Sequence, residues 1–453
     1  MHSNLPQAYD AGFTHDDDDA DVKKKELQEP PANDPFGNEA GGEVQYRTMK
    51  WWNCGMLMVA ETISLGILSL PSAVATLGIV PGLIIILGLS GISWYTGYII
   101  GQFKLRYPQV HSMADAGEIL MGRFGRELLD FCQLALLIFM MASHLLTFTV
   151  TLNTITNHGT CTIVFGVVGL VVSFIGALPR TLGKVYYMSI ASFISIAAAT
   201  IAIMITLGVD APDHVEIHVI THPSFADAFM AVTQIVFAYI AHIAYFGFIS
   251  EMSNPRDFPK SLTMLQILDT TMYAVTSMVI YHYAGPDVKS PALSSAGPLM
   301  KKVAYGLAIP TVLIAGIIFG HIASKNIYVR IFRGSEHMHK RSFLSVGTWV
   351  GIALALWTIA RIIAESIPVF NDLLSLISSL FASWFCYGLP AIFWLFMNRG
   401  RYTSSPSKIF LTIVNLCIVA IACAICGLGL YVSGRSIHNN ASTASWTCAN
   451  NAD

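Results

Sequence analysis

Ala60-Glu61-Thr62-Ile63-Ser64-Leu65-Gly66-Ile67-Leu68-Ser69-Leu70-Pro71 is the stretch that decides the architecture. It lies inside an apolar segment, 51–77, longer than the roughly 20 residues a helix needs to cross a bilayer. A continuous membrane helix has no use for Ser64, Gly66, Ser69 and Pro71 beside a carboxylate. Glycine weakens a helix, and Pro71 removes a backbone donor while crowding the carbonyl near Ile67. The spacing predicts a break at Ile63–Gly66. Its exposed N–H groups, and the positive end of the half-helix that starts there, suit a carboxylate ligand. The bland alternative is a proline-kinked packing helix. Glu61 argues against it, because an ionisable group in hydrocarbon is costly and marks function by default.

The rest of the chain has the same character. Of its 453 residues, 54% are hydrophobic and 12% charged, about half the charged fraction of an ordinary soluble protein. Lys and Arg number 26 against 28 Asp and Glu, so no basic surplus exists for a nucleic acid. A soluble enzyme is excluded on the same composition. Apolar stretches recur at 51–77, 80–103, 128–155, 160–178, 185–208, 224–250, 261–284, 303–323, 342–363, 369–397 and 409–432. Each is too long for a strand, and helices satisfy their own backbone in lipid. The expected fold is an all-α polytopic membrane protein of eleven helices.

Charge sets the orientation. With the N-terminus inside, 21 of the 26 Lys and Arg fall in inside segments and five (Lys289, Lys301, Lys302, Arg361, Arg435) outside, as the positive-inside rule requires. Residues 1–50 hold an Asp16–Asp19 run, Lys23–Lys25 and Pro30, Pro31 and Pro35, a composition expected to stay disordered. They read as a cytoplasmic tail, 51–434 as the eleven-helix domain and 435–453 as a short extracellular tail. On that outer side lie the sequon Asn440-Ala441-Ser442, a glycosylation candidate, and Cys161 and Cys448, for which an external disulfide is one open reading. Cys423-Ala-Ile-Cys426 lies in an apolar helix and reads as packing; His214, His218 and His222 read as a solvated, extended outer loop. No metal and no cofactor are expected.

Few ionisable groups lie inside the spans: Glu61, Asp269, His144, His242 and His321. The sixth span, Phe237-Ala238-Tyr239-Ile240-Ala241-His242-Ile243-Ala244-Tyr245-Phe246-Gly247, combines small residues, aromatics and one imidazole, and predicts a second break. His242 could exchange a proton or tie helices together. Asp269 could carry a coupling proton or hold a hydrogen-bond network. Glu61 is the first choice for a proton site, because it touches the first break. Interrupted helices five apart are what an inverted five-helix repeat produces.

With these residues in hand, the sequence resembles the amino acid/auxin permease family, in particular its fungal neutral amino acid permeases. The resemblance rests on Glu61–Pro71, on Pro179-Arg180-Thr181-Leu182-Gly183-Lys184, and above all on the block from Ala231 through His242 and Ser250-Glu251-Met252 to Asn254-Pro255-Arg256-Asp257-Phe258-Pro259-Lys260-Ser261-Leu262. It spans about 45–435. It implies an amino acid–polyamine–organocation (LeuT-like) fold of two inverted five-helix repeats plus one helix, with helices 1 and 6 broken. It further implies proton symport of neutral amino acids, aliphatic and aromatic, across the plasma membrane, a vacuolar membrane being the alternative. The substrate carboxylate then falls at Thr62, Ile63, Ser64, Leu65 and Gly66. The ammonium falls at Phe237, Ala238 and Tyr239, near Ala241 and His242. Relatives commonly carry glycine where this chain has Ala241. A non-transporting amino acid sensor on the same fold is the rival reading. The expected partners are a neutral amino acid, a proton and the bilayer, with no nucleic acid.

Overall fold

The computed structural model describes residues 47–179, 185–210, 215–332 and 342–451. The presumed tail therefore lies outside the described residues as far as 46, and so do Arg180–Lys184 and His214. Among the described residues the regular structure is fourteen α-helices with a few 3-10 turns and one π-helical stretch, and a single isolated bridge between Met49 and Met252.

The first span is two helices, α1 (Trp51–Thr62) and α2 (Leu70–Leu77), with a 3-10 turn at Gly66–Leu68 between them and a bend of 48°. Pro71 lies in the first turn of α2, where a missing N–H costs nothing. The break falls at Ile63–Gly66, as the sequence predicts. Then follow α3 (Ile79–Arg106), α4 (Met113–Thr156), α5 (Thr162–Ala177) and α6 (Val185–Val209). The sixth span is again two helices, α7 (Phe225–Ala238) and α8 (His242–Glu251), parted at Tyr239–Ala241. Next come α9 (Phe258–Ala284), α10 (Pro298–Phe332) and α11 (Phe343–Ser366). The tenth span is α12 (Phe370–Ile377), a π-helical stretch Ser378–Gly388 and α13 (Leu389–Met397); α14 (Pro406–Ala444) is the last. Eight of these spans are long and apolar enough to cross a membrane, and the bent α1–α2 pair makes a ninth. The other two expected spans correspond to α5, apolar but only 16 residues long, and α9, which carries Gln266, Asp269 and Thr270 through its middle.

Three boundaries differ from the hydropathy reading. The third helix starts at Met113 rather than 128, because Ser112 caps it by accepting from Asp115 N at 3.1 Å. It kinks at Gly122, whose φ of +65° suits glycine. There Gly117 and Gly125 approach so closely that a Cβ on Gly117 would lie 2.5 Å from the Gly125 carbonyl oxygen. Likewise α10 and α14 run past their apolar cores, so that 435–444 is helix. Caps and close contacts set these ends, and neither registers in hydropathy.

In each five-helix half the first helix is the broken one. α9 packs against α1, α2 and α3, while α10 lies between α4 and α6. The N-terminus of α1 is on one face of the bundle, called near below; α7 starts on the other, far face. Residues Met49 and Ser253 lock the near ends of the two broken spans: Met49 N donates to Glu251 O at 3.1 Å and Ser253 N to Met49 O at 2.9 Å.

Candidate functional site where two broken helices meet

The breaks touch. A Cβ on Gly66 would lie 2.7 Å from Ala238 Cα and 3.1 Å from Ala238 Cβ, so glycine alone lets the two backbones approach. Ile63, Leu65, Phe237, Ala238 and Tyr239 are buried around the contact. Thr62 turns its hydroxyl back onto Met58 O at 2.8 Å. Ser64 Oγ, buried at the break, has no hydrogen-bond partner among the described residues. Tyr239 Oη donates to Ile86 O on α3 at 2.9 Å, and its ring stands edge-on to Tyr273, centroids 5.4 Å apart. Beside it, Ser90, Gln266 and Thr270 form a polar chain between α3 and α9. Ala241, partly buried, precedes α8 with φ −138°, a conformation open to any residue, so alanine there is unstrained.

His242 is fully buried, with Nε2 3.1 Å from Ser93 O and 2.9 Å from Thr96 Oγ1. A carbonyl only accepts, so Nε2 carries a hydrogen and the imidazole ties α8 to α3. Its Nδ1 has no partner among the described residues. Asp269 is buried and its Oδ1 is likewise unpartnered. Glu61, in the last turn of α1, is only partly buried and feels the charge of Glu251 at the end of α8. Glu251 in turn feels Lys325. Glu251 stands at the end of its span, and the bonds made by Met49 hold that end beside α1.

His144 donates through Nδ1 to Val312 O, 3.0 Å away, and so ties α4 to α10; His321 packs on Trp349. Neither reaches a break. The connection before α9 is held internally. Asn254 Oδ1 accepts from Arg256 N, and Lys260 donates to Asp257 at 2.7 Å, which holds the Asp257 carboxyl below its usual range. A cavity of about 600 Å³ on the far face is lined by Thr76, Thr221, Asp227, Gln234, Asn371 and Asp372. Gln234 on its wall is one helical turn from Ala238, so the cavity descends towards the breaks.

Residues 47–434 match the profile of a family described as "Transmembrane amino acid transporter protein". The chain belongs to that family. It is 37% identical over 407 residues to the "N amino acid transport system protein" of Neurospora crassa, covering 87% of this chain and 86% of that one. It is 31% identical over 394 residues to a "Transmembrane transporter" of Gibberella moniliformis, covering 85% and 83%. Among solved structures it resembles MhsT, crystallised with L-phenylalanine, at 12% identity and a TM-score of 0.55, covering 85% of this chain and 99% of that one. That likeness shows the LeuT-like fold with broken helices 1 and 6. This member of the transmembrane amino acid transporter family is thus a multi-pass permease and not an enzyme.

Far from the breaks, the structure joins Cys161 to Cys448. The segment after α14 folds back over the far face. Thr162 Oγ1 donates to Ala449 O at 2.6 Å, Asn153 Nδ2 to Asn451 Oδ1 at 2.7 Å, and Ser445 Oγ to Ser366 O at 3.0 Å. Asn440 sits inside α14 with its amide donating to Asp372 at 2.8 Å, whereas a sequon is normally presented in a surface loop. Arg361, counted above as an outside charge, is buried in α11, paired with Glu365 and donating to Ile163 O at 3.1 Å. The i,i+4 spacing was the available signal for that pair.

The tie made by His242 gives a test. Replacing it with glutamine keeps a donor near Ser93 O, so uptake and its pH profile are expected to persist. Alanine removes the tie and leaves Ser93 O with the Thr96 Oγ1 contact at 3.2 Å; the lost buried hydrogen bond, about 1 kcal/mol, and the lost packing of the ring are expected to lower the melting temperature of the purified protein. A flattened pH profile in His242→Gln would instead put the imidazole in proton transfer.

Proposed function

We propose that this permease imports neutral amino acids, aliphatic and aromatic, by proton symport across the plasma membrane, with its N-terminus cytoplasmic. The observation that carries the reading is the meeting of the two breaks at Gly66 and Ala238, below a cavity that opens on the far face. The half-helix that begins at the first break directs N–H groups and a positive end at a substrate carboxylate. Carbonyls of the second break accept from the ammonium. Ile63, Ser64, Leu65 and Gly66 supply the first set, Phe237, Ala238 and Tyr239 the second. No Lys or Arg occurs between Lys50 and Lys104, or between Lys184 and Arg256. No fixed cation on these helices answers an acidic side chain, which supports a neutral substrate. The Neurospora relative is named for amino acid transport, and the phenylalanine held by MhsT is itself a neutral amino acid.

Glu61 carries the coupling proton, with Glu251 as the next carboxylate towards the near face, which is the cytoplasmic one. Labelled leucine, phenylalanine and proline are offered to cells lacking their own permeases, at pH 5 and pH 7.5, with and without a protonophore. Saturable uptake, stronger at pH 5 and abolished by the protonophore, is expected. Glu61→Gln is expected to reach the surface and lose the pH dependence. Wild type that reaches the surface and moves none of the three would transfer the reading to a sensor.

A further inference from the structure

α1 enters from the near face and ends at Thr62; α7 enters from the far face and ends at Ala238. Two helix C-termini therefore meet near the middle of the membrane. Each ends in carbonyls without intrahelical partners and carries about half a negative charge. Juxtaposed in a low-dielectric interior, the ends repel unless something positive lies between them. Transporters with broken helices use such ends to hold a sodium ion or a proton.

Here a phenol stands in that place. Tyr273, from α9, is fully buried, and its Oη lies 2.8 Å from Ala238 O and 3.4 Å from Thr62 O. Both neighbours are carbonyls, so the hydroxyl donates: its hydrogen goes to Ala238 O, with Thr62 O at the edge of reach. Thr62 O also accepts from Ser64 N at 3.0 Å. The ring is held edge-on by Tyr239. One turn earlier on α9 lies Asp269, also buried.

We propose that Tyr273 is a positioning residue whose hydroxyl hydrogen takes the place of a monovalent metal cation between the ends of α1 and α7. Transport then needs neither sodium nor lithium. The inference rests on the reading that the two breaks form the substrate site. Phenylalanine at 273 keeps the ring and removes the hydrogen, leaving two carbonyl ends facing an oxygen-sized gap.

The experiment compares uptake by wild type and Tyr273→Phe in choline, sodium and lithium chloride, corrected for surface protein. Wild type is expected to be indifferent to the cation. Tyr273→Phe is expected to lose about tenfold in choline, the size of one buried hydrogen bond, chiefly through a higher KM, and to recover in part with sodium or lithium. A purely structural tyrosine would give a loss blind to the cation, and that result overturns the proposal. So does a sodium requirement in wild type, or a variant indistinguishable from it. If Tyr273→Phe does not reach the membrane, Tyr273→Gln, which turns an amide oxygen towards the gap, is judged by the same cation response. If wild type moves no amino acid, the transport reading fails on its own. The positioning role is then decided by whether sodium raises the melting temperature of purified Tyr273→Phe and not of wild type.

Discussion

Replacing Gly66 with alanine is expected to cut uptake severely while leaving the protein in the membrane. The added Cβ would stand 2.7 Å from Ala238 Cα, and a backbone atom cannot rotate out of the way as a side chain can. Overpacking of this kind costs about 1–3 kcal/mol. The cost falls on the contact at which the two breaks touch, and so on the state that holds substrate. At about 1.4 kcal/mol per factor of ten, uptake should fall roughly ten- to hundredfold. Adding Ala238→Gly removes the 3.1 Å contact but leaves the 2.7 Å one, so only partial rescue is expected. Saturation curves normalised to surface protein decide the matter. Uptake by Gly66→Ala within twofold of wild type would mean that the breaks separate during transport more than their packing suggests.

The largest effect on stability is expected at Arg361. The guanidinium is buried against Glu365 and lies over Gly166, where a Cβ would come within 2.1 Å of Cζ. Arg361→Met leaves Glu365 as an uncompensated buried charge, a loss of about 3–5 kcal/mol. Surface expression should collapse, and the melting temperature of any purified protein should drop. The double variant Arg361→Met/Glu365→Met removes both charges and is expected to recover most of the loss, since a buried pair often contributes little net stability. Gly166→Ala should behave like the single variant, because it displaces the guanidinium without touching its charge. A double variant as unstable as Arg361→Met would instead assign the cost to lost packing.

The first break could be read from the chain because its causes are local. Ser64, Gly66 and Pro71 weaken the helix within the ten residues after Glu61. The second break carries no such mark. Tyr239-Ile240-Ala241 contains neither glycine nor proline, and only the aromatic and small residues around His242, together with the family resemblance, pointed to it. Long-range partners were invisible for a different reason. Tyr273 is one tyrosine in an apolar run until the fold brings it to Ala238, thirty-five residues away in sequence. Arg361 looked like a loop charge because its partner Glu365 falls beyond the hydropathy edge of the span. In lipid the outside of a helix is as apolar as its packed side. Periodicity therefore does not say which face meets a neighbour, and contacts such as Gly66 on Ala238 emerge only from the assembled bundle.

Two of the contacts described above also act as a parity check on the membrane crossings. Met49 bonds to Glu251 and Ser253 across the first six spans, and Cys161 bonds to Cys448 across the last eight. Partners in a bond must lie on one side of a hydrocarbon layer about 30 Å thick, so each interval must contain an even number of crossings. Three spans precede Cys161 and eight follow it. The disulfide makes the last eight an even number of crossings, and with the three spans before Cys161 the total is odd, without any appeal to lysine counts. Met49 and Cys448 accordingly lie on opposite faces, and an impermeant thiol reductant added from outside intact cells can reach the disulfide only if the far face is the outer one.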